Sequence, residues 1–515
     1  MIYQNNLILD ENYLTHIMQE TIPVAVVKPR YPKSVPFIIG NEAAERFSFY
    51  GMRSILVTFL VAQFFNPTGN KALTTVAEAH ANASTHFFVT LAYTLPFVGG
   101  LVADWFTGKY RLILSLSIVY CMGHLALALF DTNLNGFIGG LVLVAIGAGG
   151  IKSCVSANVG DQFDASNQDL LSKVYGWFYF SINAGSMFST MLIPWTYKYY
   201  GAQWAFGIPG ILMALATIIF FSGRKLYVRV PPAGVNRNNL INVTFYSLMN
   251  MSKKKKGESL LDVAKDKFDP EKVEGFKAVF RVMAVFFFAF AFWAVWDQCL
   301  SEWVLQAAKM DLSINLGFTK FSLIAGQVST VNTVFLLMLI PIFNYWIYPA
   351  LDKTGLKTTP LRRLGFGLFL TALSFVVIAL IQAQIDHGHS PSIWWQIFAY
   401  FVLSAAEVLV SITGLQYAYT HSPISMKSTM NGIWFLVVAL GNLFTGAINT
   451  NISNKGFFSR YLIGADYYWF FVGVIAAFLV LFMLIAPRLK ERSYIDHPDA
   501  IKTDELTVAG EAPEK

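Results

Sequence analysis

Twelve stretches of the chain, each long and apolar enough to cross a bilayer, constrain its fold more than anything else. A spanning helix needs about 20 mostly apolar residues. The candidates run near 36–64, 84–104, 111–130, 135–160, 171–195, 203–222, 278–298, 319–348, 362–384, 393–419, 428–450 and 467–487. Backbone polar groups find no partner in lipid, so such segments must be helices. The expected fold is an all-α membrane protein. The composition agrees: of 515 residues, 55% are hydrophobic and only 13% charged, against about 25% charged in a soluble domain.

The loops give the orientation. The longest connection, 223–277, holds twelve Lys and Arg residues, including the run Lys253 to Lys256. The loops with Lys109 and Arg111, and with Lys353, Lys357, Arg362 and Arg363, lie on its side. Loops 131–134 and 385–392 on the other side have neither residue type. The positive-inside rule places the linker and both termini in the cytoplasm. The net charge of +7 reflects this bias, not nucleic-acid binding. The expected organisation is a tail over 1–35, a six-helix bundle over 36–222, a basic linker over 223–277, a second six-helix bundle over 278–487 and a tail over 488–515. The first 35 residues lack a signal-peptide core, so the first span is expected to act as an uncleaved signal. Two such halves fit a transporter. The segment "GGLVADWFTGKYR" resembles the loop motif of the major facilitator superfamily, with one extra residue before Gly108.

Other chemistries are absent. There is no G-x4-G-K-[ST] loop for ATP, and no H-E-x-x-H or G-x-S-x-G for an intramembrane hydrolase. Gly147, Gly149 and Gly150 lie inside an apolar span, where glycines allow close helix packing. Cys121, Cys154 and Cys299 are odd in number and sit in apolar stretches, which implies packed free thiols. No enzyme, metal or cofactor is expected.

The first span is anomalous. "NEAAERFSFYGMR", residues 41–53, carries two glutamates and two arginines. Each costs about 2.5–3.5 kcal/mol at a lipid-facing helix centre. At 100° per residue, Glu42, Glu45, Arg46, Tyr50 and Arg53 share an arc of about 140°. That face must meet protein or water. It serves either a structural ion-pair cluster or an intramembrane site. Lys152 stands alone in the fourth span, and Glu407 in the tenth, with Ser404 and Ser411 on its face. At 1.5 Å per residue, Glu42 and Glu45 lie roughly 9–14 Å from the cytoplasmic end, Lys152 about 12 Å, Tyr179 and Asn183 about 12–18 Å, and Glu407 about 18 Å. Arg53 and Asp297 lie at roughly 26 and 28 Å in equivalent spans of the two halves, and are expected to pair as an outer gate.

"EAAERFSFYGMR", "GAGGIKSCVSANVGDQF", "FYFSINAGS", "FWAVWDQCLSEWVLQA" and "EVLVSITGLQYAYTHSPISMKSTMNGIW" together resemble the proton-dependent oligopeptide transporter (POT, or PTR) family of the major facilitator superfamily. Phe49 stands where the family motif has its first Tyr, and Gln416 where many members have Glu. The resemblance implies the major facilitator fold, twelve transmembrane helices in two six-helix bundles. It implies proton coupling through Glu42, Glu45, Arg46, Lys152 and Glu407. Arg53 and Lys152 would attract a peptide carboxylate, and Glu407 would receive its amino group. Tyr50, Tyr93, Tyr179, Asn183 and Asn332 would line the cavity with Ser411, while Trp293 and Trp434 shape side-chain pockets. His86 matches a position implicated in protonation in animal members; a lone histidine also reads as a packed, hydrogen-bonded residue.

The function expected is proton-coupled symport of di- and tripeptides by alternating access. A carrier of another solute (nitrate, an amino acid or a drug) and a non-transporting receptor or scaffold are the other readings. Partners are the peptide, protons and the lipid bilayer of the plasma (inner) membrane. The proton gradient stands in place of a cofactor, and a monomer suffices.

Overall fold

The computed structural model describes residues 30–488, apart from 165, 233, 235–238, 316, 318, 356–357 and 422–426. Most of both expected tails, and part of the "SPISMKSTM" signature, fall outside the described residues. The first half contains α1 (Val35–Leu60), α2 (Thr74–Val102), α3 (Lys109–Leu129), α4 (Leu134–Gly160), α5 (Leu171–Tyr200) and α6 (Ala202–Ser222). The linker carries α7 (Leu240–Met249). The second half contains α8 (Pro270–Trp296), α9 (Glu302–Ala307), α10 (Thr330–Ile342), α11 (Tyr348–Lys353), α12 (Pro360–Asp386), α13 (Ile393–Glu407), α14 (Thr413–His421), α15 (Lys427–Ser453) and α16 (Ala465–Ile485).

Among the described residues, eleven helical segments are long and apolar enough to span a membrane. The fifth expected span, α5, is a continuous helix of 30 residues whose composition falls short. Asn183, Ser186, Ser189 and Thr190 dilute its hydropathy, and all four are buried in protein instead of facing lipid. The seventh expected span, α8, starts earlier than hydropathy predicts. Asp269 caps it by accepting from the Glu271 N–H, and Pro270 occupies the first turn, a favoured start. Its polar first turns, up to Lys277, belong to the helix and not to a loop. The all-α expectation misses one short hairpin, β1 (Ser313–Asn315) with β2 (Lys320–Ser322), paired antiparallel between α9 and α10. The three thiols are free.

The extra residue before Gly108 is absorbed by a π turn over Ala103–Thr107, which closes with the Gly108 N–H on the Ala103 carbonyl at 2.9 Å. A π turn accommodates one residue more than an α turn. Gly108 follows at φ +73, a conformation that suits glycine. Lys109 then reaches Asp161 at the end of α4, at 2.8 Å.

In the first half, α1 packs on α5 and α6, and α4 on α2 and α3. In the second, α12 packs on α13 and α16, α8 on α15, and α10 on α13. The halves meet where α2 crosses α15 and α5 crosses α10. Outer here means the side opposite the basic linker. The polar bridges Thr190–Thr330 at 2.9 Å, Gln327 to the Met191 carbonyl at 2.9 Å and Lys309–Glu78 at 2.7 Å all join the halves in the outer part.

Glycines set the closeness of α3 and α4. A Cβ added at Gly147 would lie 2.5 Å from the Tyr120 Cβ and 2.7 Å from its Cα. At Gly139, on the same helix, it would meet nothing within 4 Å. Gly147→Ala should therefore lower stability by about 1–3 kcal/mol, the usual cost of overpacking. Gly139→Ala should be neutral. Thermal unfolding of the detergent-purified protein compares the two; equal midpoints would refute this account of the packing.

Candidate functional site: a buried charged layer between the halves

Three groups of side chains form the site. The first lies within the first half. Arg46 Nε donates to Glu42 Oε1 at 2.7 Å and lies 3.3 Å from Glu45 Oε2. The i, i+4 spacing of Glu42 and Arg46 stacks them on one face of α1. Lys152 of α4 approaches Glu45 Oε1 only to 3.9 Å, too far for a hydrogen bond. Its ammonium instead stands 3.3 Å from the centre of the Phe49 ring and 4.8 Å from that of Tyr93. An ammonium over a ring face is attracted by the ring quadrupole. Glu42, Glu45 and Lys152 are buried, while Arg46 is partly exposed.

The second group joins the halves. Arg53 Nη2 of α1 donates to Asp297 Oδ1 at 2.7 Å, with both side chains fully buried. Asn442 Nδ2 of α15 donates to Asp297 Oδ2 at 2.6 Å. That fixes the amide orientation, so the Asn442 oxygen faces His86 Nδ1 at 2.8 Å. His86 Nδ1 must therefore carry a proton and donate. Its Nε2 lies 3.1 Å from the Ser301 hydroxyl. A neutral ring accepts from Ser301, and a protonated ring reverses only that bond. The network runs Arg53–Asp297–Asn442–His86–Ser301 and crosses between the halves three times. Arg53 Nε and Nη1 have no hydrogen-bond partner.

The third group surrounds Glu407 in the second half. Trp296 Nε1 donates to Glu407 Oε2 at 2.9 Å, and Asn332 Nδ2 to the same oxygen at 3.2 Å. Asn332 also bonds Ser404 at 2.9 Å. Ser411 makes no such bond. The chain enters a π turn over Val408–Ile412 directly after Glu407, and the Ser411 hydroxyl is buried without a partner. Trp293 lies edge-on between Trp296, at 5.4 Å, and Trp434, at 6.0 Å. Tyr179 is exposed, and Asn183 donates to its backbone carbonyl at 2.9 Å. Tyr50 lies within electrostatic reach of Arg46, Arg53, Asp297 and Glu407, and Tyr179 within reach of Tyr50 and Glu407. Tyr93 packs against Phe435 of α15 at 6.0 Å.

Trp296, Asn442 and Ser301 also belong to the site, though the sequence marks them only faintly. Trp296 follows Trp293 by three residues on the same helical face, and Asn442 is a lone amide in an apolar run. Those were the available signals.

The sequence profile of the POT family (PTR2) matches residues 110–469. The chain belongs to the POT family. The peptide transporter family 1 protein of Drosophila melanogaster is 39% identical over 375 residues, which cover 70% of this chain and 48% of that protein. Solute carrier family 15 member 1 of Homo sapiens is 35% identical over 386 residues, 69% of this chain and 52% of its own length. The chain thus spans about half the length of these relatives. The crystal structure of an auto inhibited POT family peptide transporter is similar with a TM-score of 0.81 at 33% identity, covering 91% of this chain and 99% of that one. The POT family transporter PepTSo gives 0.81 at 34%, covering 90% and 99%. The fold is the major facilitator fold, a multi-pass membrane architecture of two six-helix bundles.

For this POT-family chain, Arg53–Asp297 is a fully buried pair. Removing one partner of such a pair typically costs about 3–5 kcal/mol, because the other charge is left unpaired. Asp297→Ala should depress the thermal midpoint strongly. Arg53→Ala combined with Asp297→Ala should cost much less than the sum of the single losses. A strictly additive double mutant would show that the two side chains do not support each other.

Proposed function

We propose that the chain imports di- and tripeptides together with protons, by alternating access. It would do so in the plasma (inner) membrane, with both termini in the cytoplasm, no cofactor and a single copy sufficing. One observation carries the reading. Three cations against two carboxylates on the first half (Arg46, Lys152 and Arg53 with Glu42 and Glu45) are matched on the second by Glu407, whose hydrogen-bond partners are the uncharged Trp296 and Asn332. A zwitterionic peptide has complementary charges at its two ends. The Drosophila melanogaster relative, named a peptide transporter, and the structure of the auto inhibited POT family peptide transporter support the same substrate class.

The proposed cycle uses these side chains as follows. With the halves joined at their outer ends by Arg53–Asp297, the site opens toward the linker. When that pair parts, the free Arg53 draws in the peptide carboxylate, which then reaches Lys152. Lys152 leaves Glu45 for the incoming carboxylate. A buried carboxylate without its cation is costly, and taking up a proton removes that cost. Peptide and proton therefore enter together. Glu407 holds the peptide ammonium, with Trp296 and Asn332 keeping the carboxylate aimed. Trp293 and Trp434 border the side-chain space, and Tyr93 and Asn183 line it. His86, bonded through Asn442 to Asp297, would place a second proton-accepting group beside the gate.

Proteoliposome uptake of labelled dialanine with and without an inward proton gradient tests the whole reading. Accumulation should require the gradient; its absence under both conditions would reject peptide symport. Lys152→Ala should abolish uphill accumulation in correctly folded protein, and a variant that still concentrates peptide would overturn the exchange of partners. Glu407→Gln should weaken binding of ordinary dipeptides about ten- to hundredfold, the scale of a lost charged hydrogen bond. N-acetylated dipeptides should change little. Equal weakening of both would remove Glu407 from the amino-group role.

A further inference from the structure

The linker holds a helix that the transport cycle above does not use. α7 is apolar but only ten residues long, about 15 Å, so it cannot span. Its two faces differ sharply. Val243 and Ser247 are buried, and the helix packs on the turn over Leu260–Asp266. Tyr246 ties the two together by donating to Asp266 at 3.2 Å. The opposite face holds Ile241, Phe245, Leu248 and Met249, which at 100° per residue fall within an arc of about 100°. All four are exposed, Phe245 at 64% and Met249 at 70%. Exposed apolar side chains are ordinary on a lipid-facing span. On a segment outside the spans, a contiguous patch needs a covering.

The charges next to it say what covers it. Residues 239–252 contain no Asp or Glu, and Lys253–Lys256 follow at once. All four lysines are exposed. Among the described residues their ammonium groups make no ion pair, whereas the nearby Lys265 and Lys277 are matched by Asp262 and Glu274. An apolar stripe beside an uncompensated polybasic run is the pattern of a helix lying in the interface of an anionic membrane. The amino end of α7 lies beside the seam between the halves. Asn239, Leu240 and Ile241 border a cavity of about 150 Å³ with Phe97 of α2, Trp105 after it and Phe435 of α15.

We propose that α7 and Lys253–Lys256 form a docking element for anionic phospholipid of the leaflet on the linker side. The stripe Ile241, Phe245, Leu248 and Met249 enters the headgroup boundary, and the lysines engage lipid phosphates. The inference rests on the orientation given above, and its test does not depend on transport. Each lysine at such a surface favours the docked state about fivefold. Four together would shift the balance on the order of a hundredfold or more.

The test uses the full chain in vesicles, with an environment-sensitive fluorophore on Leu248→Cys. Vesicles contain phosphatidylcholine alone or mixed with phosphatidylglycerol, each with brominated acyl chains as a contact quencher and iodide as a water-side quencher. With phosphatidylglycerol the label should be quenched by brominated lipid and shielded from iodide. Changing Lys253→Gln, Lys254→Gln, Lys255→Gln and Lys256→Gln together, or adding high salt, should reduce that quenching at least tenfold. Three results would overturn the proposal: iodide access unchanged by lipid charge, docking in phosphatidylcholine that ignores the lysines, or shielding from both quenchers, which would mean that protein covers the face. Circular dichroism and size-exclusion elution matching the unsubstituted protein keep a folding defect from imitating any of these.

Discussion

Arg53 cannot be placed in a dry interior without an anion, and the anion it finds belongs to the other half of the molecule. That constraint organises the structure. A guanidinium fully removed from water is tolerated only when paired and hydrogen-bonded. Asp297 pairs with it at 2.7 Å, and Asn442 occupies the second carboxylate oxygen. The pair holds only while α1 and α8 are in register across the interface. Joining of the halves at their outer ends and neutralisation of the charge are thus one event. In the proposed cycle, where this pair opens and closes, any ligand that competes for one of its charges would bias the equilibrium.

The two clusters further toward the linker are built on a different balance. Arg46 is held by two carboxylates, Glu42 and Glu45. Lys152 is only loosely engaged by Glu45 and leans on Phe49 and Tyr93. Glu407 has two neutral donors, Trp296 and Asn332, and is partly open. The first half therefore offers a weakly committed cation, and the second a carboxylate whose partners carry no charge. Both ends of a zwitterion would find a counter-charge without breaking a strong ion pair within either half.

Much of this was legible in the sequence, and for definite reasons. Hydropathy reveals spans because lipid admits few alternatives. The helical period alone places Glu42, Glu45, Arg46 and Arg53 on one face. Matching depth in equivalent spans pointed Arg53 at Asp297. What stayed hidden depends on tertiary geometry. Nothing in one dimension says that Asn442 sits between Asp297 and His86, or that Trp296 and Asn332 donate to Glu407 while Ser411, placed on its face by an α-helical count, does not. The π turn after Glu407 breaks the regular spacing on which that count relied. By hydropathy α5 is the least apolar of the expected spans, because its polar residues Asn183, Ser186, Ser189 and Thr190 face protein.

Phe49 sharpens the argument about Lys152. The residue lies on the charged face of α1, at about −20° when Glu42 is set at zero, where a polar side chain would be expected beside the ammonium. A phenylalanine there offers a ring face but no lone pair. The ring attracts the cation by roughly 0.5–2 kcal/mol and satisfies none of its three N–H donors. The Lys152 amine consequently has no hydrogen-bond partner, and neither oxygen of Glu45 has one. Two buried, opposite charges are thus held near each other but short of contact. Such an arrangement is costly in a static protein, where an unmade buried hydrogen bond is a net loss. In the transport cycle proposed above it would lower the barrier to changing partners, because an arriving carboxylate would have only a long contact to replace.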